Sequence, residues 1–96
     1  MMNDLTNLFK LFTDENRIEI IKRLIDGETC GCTLIDQMPI TQPTLSYHLK
    51  MISSAGLSNT VKEGNWVKHH IDFNKIDEMI EFLEELKNRE VISCKS

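Results

Sequence analysis

The stretch Thr41-Gln42-Pro43-Thr44-Leu45-Ser46-Tyr47-His48-Leu49-Lys50-Met51-Ile52 has two faces that ask for different surroundings. On a helix, Leu45, Leu49 and Ile52 fall at i, i+4 and i+7 and form a narrow apolar stripe, while Ser46, Tyr47 and Lys50 point the other way. Thr41 can cap this helix through its hydroxyl. Pro43 in the first turn forfeits no hydrogen bond, because those N–H groups have no intrahelical partner. The spacing predicts a short helix with a defined start, one buried stripe and a small polar face bearing one cation. Gln42 can pair with adenine in a bidentate way, and the hydroxyls of Thr44, Ser46 and Tyr47 can donate to or accept from base edges. Taken alone, such a face also suits plain solvation, so its meaning depends on the flanks.

Upstream, a third helix is predicted from about Cys32 to Met38, with Leu34, Ile35 and Met38 apolar and Pro39 ending it. Two short helices joined by a turn of that length make a helix-turn-helix whose second member is the Thr41 helix. Before it, Leu5, Leu8, Phe9 and Phe12 repeat at helical spacing over residues 4–12. Thr13 or Asp14 then offers a cap for a second helix, in which Ile18, Ile21, Leu24 and Ile25 form the buried stripe and Gly27 the stop. Downstream, Gly56 supplies a left-handed cap and the helical period is lost from Leu57 to Asp72. Val61, Trp66, Val67 and Ile71 surround Lys62-Glu63-Gly64-Asn65, which reads as a β-hairpin with Lys62 and Lys68 near its tip. A last helix over residues 75–89, with Asn74 as its cap, carries Ile76, Met79, Ile80, Leu83 and Leu86. Together with Leu5 and Leu8 of the first helix, that stripe predicts a homodimer interface, the alternative being that it completes the core of a single protomer. The expected fold is mainly α with a small β-hairpin: a dimeric winged helix-turn-helix in one domain over residues 1–96, ending in a tail at 91–96.

Ninety-six residues bury roughly 65% of their extended surface, enough for a modest core that a partner subunit would extend. Hydrophobic residues at 41% and charged residues at 27% disfavour disorder. No apolar run reaches the ~20 residues needed to span a bilayer, and the N-terminus has no secretory pattern, so a cytoplasmic protein without membrane association is expected. The formal charge of −4 argues against a generic nucleic-acid binder, but it is unevenly spread. Residues 41–70 carry one acid (Glu63) against Lys50, Lys62 and Lys68, whereas both flanks are acidic. The one basic third is the segment expected to meet DNA, with Lys50, Lys62 and Lys68 directed to phosphates. His69 and His70 alternate across a strand and cannot both face one ion.

Three cysteines, Cys30, Cys32 and Cys94, are an odd number, and a one-residue gap is poor disulfide geometry, so reduced thiols are expected. Cys30-Gly31-Cys32 stands at the start of the third helix, where a helix N-terminus favours thiolate, the form that binds metal. On a regular helix residues i and i+2 diverge by roughly 200°, so one ion gripping both sulfurs would deform that turn and disturb the helix packed on it. Gly31 permits backbone angles that suit a ligand loop.

These residues resemble the ArsR family of metalloregulatory winged-helix repressors, and specifically its arsenic-responsive branch. The resemblance runs from about Leu8 to Asp72, through Glu28-Thr29-Cys30-Gly31-Cys32-Thr33-Leu34, Gln42 to Lys50 and the Lys62-Glu63-Gly64-Asn65 wing. It implies a homodimer that occupies double-stranded operator DNA when ligand-free and dissociates when As(III) or Sb(III) binds Cys30 and Cys32. Some relatives have a third cysteine three residues after the second, where this chain has Ile35. As(III) prefers a three-sulfur pyramid, so either Cys94 or a small external thiol must complete the set. Relatives sensing Cd(II) or Pb(II) add cysteines from an N-terminal extension, and those sensing Zn(II) use Asp and His on the last helix. This N-terminus has no cysteine and residues 75–89 no histidine. No organic cofactor is expected.

Three other readings share these residues. The two thiols could serve a redox or persulfide sensor, or a sensor of another thiophilic metal, on the same fold. A winged helix can also act as an interaction module without DNA. A thiol enzyme would need the C-x-x-C spacing and βαβ context that are missing here.

Overall fold

The computed structural model describes residues 2–27 and 30–89, apart from the side chains of Met2 and Cys32. The chain runs through α1 (Met2–Lys10), a 3-10 turn (Leu11–Thr13), α2 (Glu15–Ile25), α3 (Gly31–Gln37), α4 (Gln42–Ser54), β1 (Ser58–Glu63), β2 (Trp66–Ile71) and α5 (Phe73–Lys87). The mainly helical order with one antiparallel hairpin is the one the sequence predicts.

Short polar side chains fix the helix starts. The Asp14 carboxylate accepts from the N–H groups of Asn16 at 2.9 Å and Arg17 at 3.1 Å, so α2 begins there. Thr41 Oγ1 accepts from Thr44 N–H at 3.3 Å and starts α4. Asp72, two residues before the expected Asn74, caps α5 by accepting from Asn74 N–H at 3.0 Å. The end of α4 is set by Gly56 at φ +88°, with Gly56 N–H donating to the Ser53 carbonyl at 3.0 Å and Leu57 N–H to the Ile52 carbonyl at 3.2 Å. The first helix starts and ends two residues earlier than the expected 4–12, its end set where the chain tightens into the 3-10 turn and Phe12 leaves helical backbone angles.

In the hairpin, pairing runs from Ser58↔Ile71 to Glu63↔Trp66 and leaves Gly64-Asn65 as a two-residue turn, with Gly64 at φ +62°. Its base is closed by Asp72 N–H donating to the Leu57 carbonyl at 2.7 Å. Register places Ser58, Thr60, Lys62, Val67, His69 and Ile71 on one face and Asn59, Val61, Glu63, Trp66, Lys68 and His70 on the other.

The core is built from Leu8, Leu11, Ile20, Ile21, Leu24, Leu34, Met38, Leu45, Leu49, Ile52, Leu57, Ile71 and Met79. The expected stripe of α4 is buried in full. That of α2 is rotated: Arg17, Ile20, Ile21 and Leu24 are buried, Ile18 is half-buried and Ile25 is 43% exposed. A charged residue at the head of the stripe concealed the true face. The expected dimer residues also divide. Leu8 and Met79 lie in the protomer's own core, because α1 packs on α5 with the Phe9 and Phe82 rings 5.7 Å apart. Leu5 and Ile76 are half-buried against that core. Ile80, Leu83 and Leu86 are exposed, and so is Phe73, which the sequence reading left out. Apolar residues therefore cover about half the circumference of α5, one margin serving the protomer and the other facing out.

Candidate nucleic-acid interface and cysteine site

The face of α4 that turns from the core presents Gln42, Ser46, Tyr47 and Lys50, all exposed. Thr44 is half-buried and committed to the cap, since Thr41 Oγ1 donates to its hydroxyl at 2.9 Å. That leaves it less to offer a base edge than its neighbours. Lys62 is exposed on the wing. Lys68 lies three pairs below the turn, not near the tip, and its ammonium meets Glu63 Oε1 at 3.3 Å. Three large apolar side chains of the wing, Val61, Trp66 and Val67, are also exposed.

Cys30 is the N-cap residue of α3, in extended backbone conformation (φ −96°, ψ 131°), with no capping hydrogen bond from its side chain. Its carbonyl accepts from Thr33 N–H at 3.1 Å and Leu34 N–H at 3.2 Å. The same residue forms an antiparallel bridge with Lys68 of β2. The sequence reading could not see this, because it depends on how the wing folds back over α3. Cys32 is the second residue of α3, but its side chain lies outside the description, as does Cys94. Among the described residues no three His, Cys, Asp or Glu side chains gather in a metal-binding arrangement.

Two expectations about this segment change. Gly31 is helical, not a loop hinge, and the glycines with left-handed φ are Gly27, Gly56 and Gly64. Cys30 stands outside the helix proper, so the divergence of roughly 200° expected of two helical residues does not apply to the pair. A Cβ on Gly31 would lie 3.9 Å from Leu49 Cδ1, so the first turn of α3 rests on the buried face of α4.

A buried polar group under α4 also escaped the sequence reading. Arg17, 6% exposed, reaches His48, 4% exposed, with Nη1 at 3.1 Å from Nδ1. His48 Nε2 lies 3.9 Å from Asp14 Oδ1. Periodicity held the signal: Arg17 precedes Ile20, Ile21 and Leu24 at i, i+3, i+4 and i+7, and His48 lies three residues after Leu45. The bond from Arg17 N–H, then that from Asn16 N–H, holds the Asp14 carboxyl below its ordinary value of 3.8, against opposing desolvation; His48 and Arg17 add attraction. On the wing, desolvation pushes His69 below the ordinary histidine value of 6.5, with repulsion from His70 adding to it. His69 Nδ1 is buried without a hydrogen-bond partner among the described residues.

A helix with a polar face, preceded by α3 across residues 38–41 and followed by a two-stranded hairpin, is the winged helix-turn-helix of DNA-binding regulators. The family model described as "Bacterial regulatory protein, arsR family" matches residues 14–59. An HTH-type transcriptional regulator of Methanocaldococcus jannaschii is 38% identical over 80 residues, 82% of this chain and 90% of that protein. An arsenical resistance operon repressor of Staphylococcus aureus is 34% identical over 80 residues, 83% and 77% of the two chains. A homolog of a cadmium resistance transcriptional regulatory protein, also of Staphylococcus aureus, is 30% identical over 79 residues, 81% and 65%. Among solved structures, an ArsR-like transcriptional regulator from Rhodococcus superposes with a TM-score of 0.83 at 22% identity, over 90% of this chain and 81% of that one. A homodimeric winged helix-turn-helix DNA-binding domain from Mycobacterium bovis does so with a TM-score of 0.72 at 16% identity, over 96% and 85%. The chain belongs to the ArsR family of bacterial transcriptional regulators.

Proposed function

We propose that this chain is a homodimeric, cytoplasmic repressor that holds operator DNA through α4 and the wing and releases it when As(III) or Sb(III) binds Cys30 and Cys32. The observation that carries the reading is the position of Cys30. It starts α3, whose first turn rests on Leu49 of α4, and its backbone pairs with Lys68 of the wing. A ligand drawn to this thiol therefore acts beside both elements that would touch DNA. The donor chemistry fits: thiolate is the soft ligand that a thiophilic ion selects. Cys30 and Cys32 would hold As(III) through their sulfurs, with Cys94 or a small thiol as the third donor.

What the chain itself does follows from its packing. Leu49 and the Cys30–Lys68 bridge hold α3, α4 and the wing in one arrangement, in which Gln42, Ser46, Tyr47 and Lys50 face outward together. Gln42, Ser46 and Tyr47 would read base edges, while Lys50 and Lys62 would position the protein on phosphates. Displacing Cys30 loosens that arrangement. Coupling of ~1–3 kcal/mol per site is enough to weaken operator binding 5- to 150-fold. The exposed margin of α5, with Phe73, Ile80, Leu83 and Leu86, supports dimerisation, since a second copy would cover it.

The competing inducer is Cd(II), which the cadmium-resistance relative brings into question. Titrating a labelled duplex from directly upstream of the coding sequence, bound to the protein, with As(III), Cd(II) and Zn(II) separates them. Release at the lowest concentration by As(III) is expected; release by Cd(II) or Zn(II) with no response to As(III) would overturn the assignment.

A further inference from the structure

Arg17 is buried in a role that neither the apolar core nor the cysteine site explains. Its Nε donates to the Leu11 carbonyl at 2.9 Å, its Nη2 to the Lys10 carbonyl at 3.4 Å, and its Nη1 faces both His48 Nδ1 at 3.1 Å and Met51 Sδ at 3.3 Å. One guanidinium thus ties the end of α1 and the 3-10 turn to two residues of α4. A guanidinium only donates, so His48 Nδ1 is the acceptor of this bond, and the other ring nitrogen, Nε2, faces Asp14 Oδ1 at 3.9 Å.

The groups facing the ring are Arg17 from α2, Asp14 that caps it, and Tyr47 from α4 itself; Lys10 and Leu11, from α1 and the 3-10 turn, present carbonyls that hold the guanidinium. The Tyr47 ring lies 5.4 Å from that of His48 and is 59% exposed, on the face that would read DNA. We propose that Arg17 is a positioning residue for the DNA-reading helix, acting through its hydrogen bond to His48, which fixes the seat of α4. The inference rests on α4 being the DNA-contacting helix.

The test is fluorescence anisotropy of the full chain with the duplex from directly upstream of its coding sequence, read at about pH 8 beside the circular dichroism of each variant. Arg17→Met keeps an apolar stem and is expected to bind about tenfold more weakly than the wild type, the size of one hydrogen bond to a charged group, with its circular dichroism unchanged. In His48→Asn, Oδ1 takes the place of Nδ1 and accepts from Arg17, and this variant is expected to bind as the wild type does. Wild-type affinity in a folded Arg17→Met, or binding by His48→Asn as weak as that of Arg17→Met, overturns the proposal. If Arg17→Met proves unfolded, the comparison of wild type with His48→Asn decides alone. No wild-type affinity would instead sink the DNA-reading assignment of α4.

Discussion

Cys30 illustrates how one residue can serve two elements: its carbonyl starts α3 and its backbone pairs with β2. The sequence placed this cysteine at the head of a helix because caps and turns are local chemistry. It could not place the wing against it, because that bridge joins residues 38 positions apart. The same contrast separates Thr41, Pro43 and Gly56, each legible from its neighbours, from Arg17 and His48, whose partners are set only by packing. His69 gives a titration test at this scale. Its folded state resists protonation that the unfolded chain accepts near 6.5, so stability is fully present above that value and is lost as pH falls below it toward the depressed folded value. Thermal melts at descending pH are expected to show this loss, and His69→Gln to reduce it; an equal acid-side loss in the variant would remove His69 as the cause. Lys50→Ala, exposed on α4, is expected to reduce the salt slope of DNA binding by about 0.9, one phosphate's worth. An unchanged slope would take Lys50 out of the phosphate contacts.

Among the elements, α4 was the best predicted, since its start, its stripe and its stop are all written in adjacent residues. Its C-terminal stop depends on Gly56 at φ +88°, where an added Cβ finds room, 3.8 Å from Lys75 Cε, but the backbone conformation is costly. Gly56→Ala is therefore expected to destabilise the protein by about 1–2 kcal/mol, visible as a lower denaturant midpoint with an unchanged slope. No change in midpoint would mean that the chain leaves α4 by another route. Helix α2 was misplaced by part of a turn for a different reason. Apolar periodicity treats arginine as a surface residue, and it has no means of knowing that four backbone and side-chain acceptors wait for Arg17 inside.

For the whole molecule, the sequence foresaw a terminal helix with more apolar surface than one protomer needs, but assigned Leu8 and Met79 to the wrong side of it. The structure leaves Phe73, Ile80, Leu83 and Leu86 outside. Leu83→Glu is expected to convert a dimer to a monomer in sedimentation velocity and to abolish operator binding, because two half-sites are then no longer engaged together. A dimer that survives this substitution would place the interface elsewhere. The central claim, that the thiols at the head of α3 govern DNA release, is tested most directly by adding arsenite to duplex-bound wild-type, Cys30→Ser and Cys32→Ser proteins and following anisotropy. The expected result is release of the wild type alone, with all three binding DNA equally before arsenite; release that persists in both serine variants would contradict it.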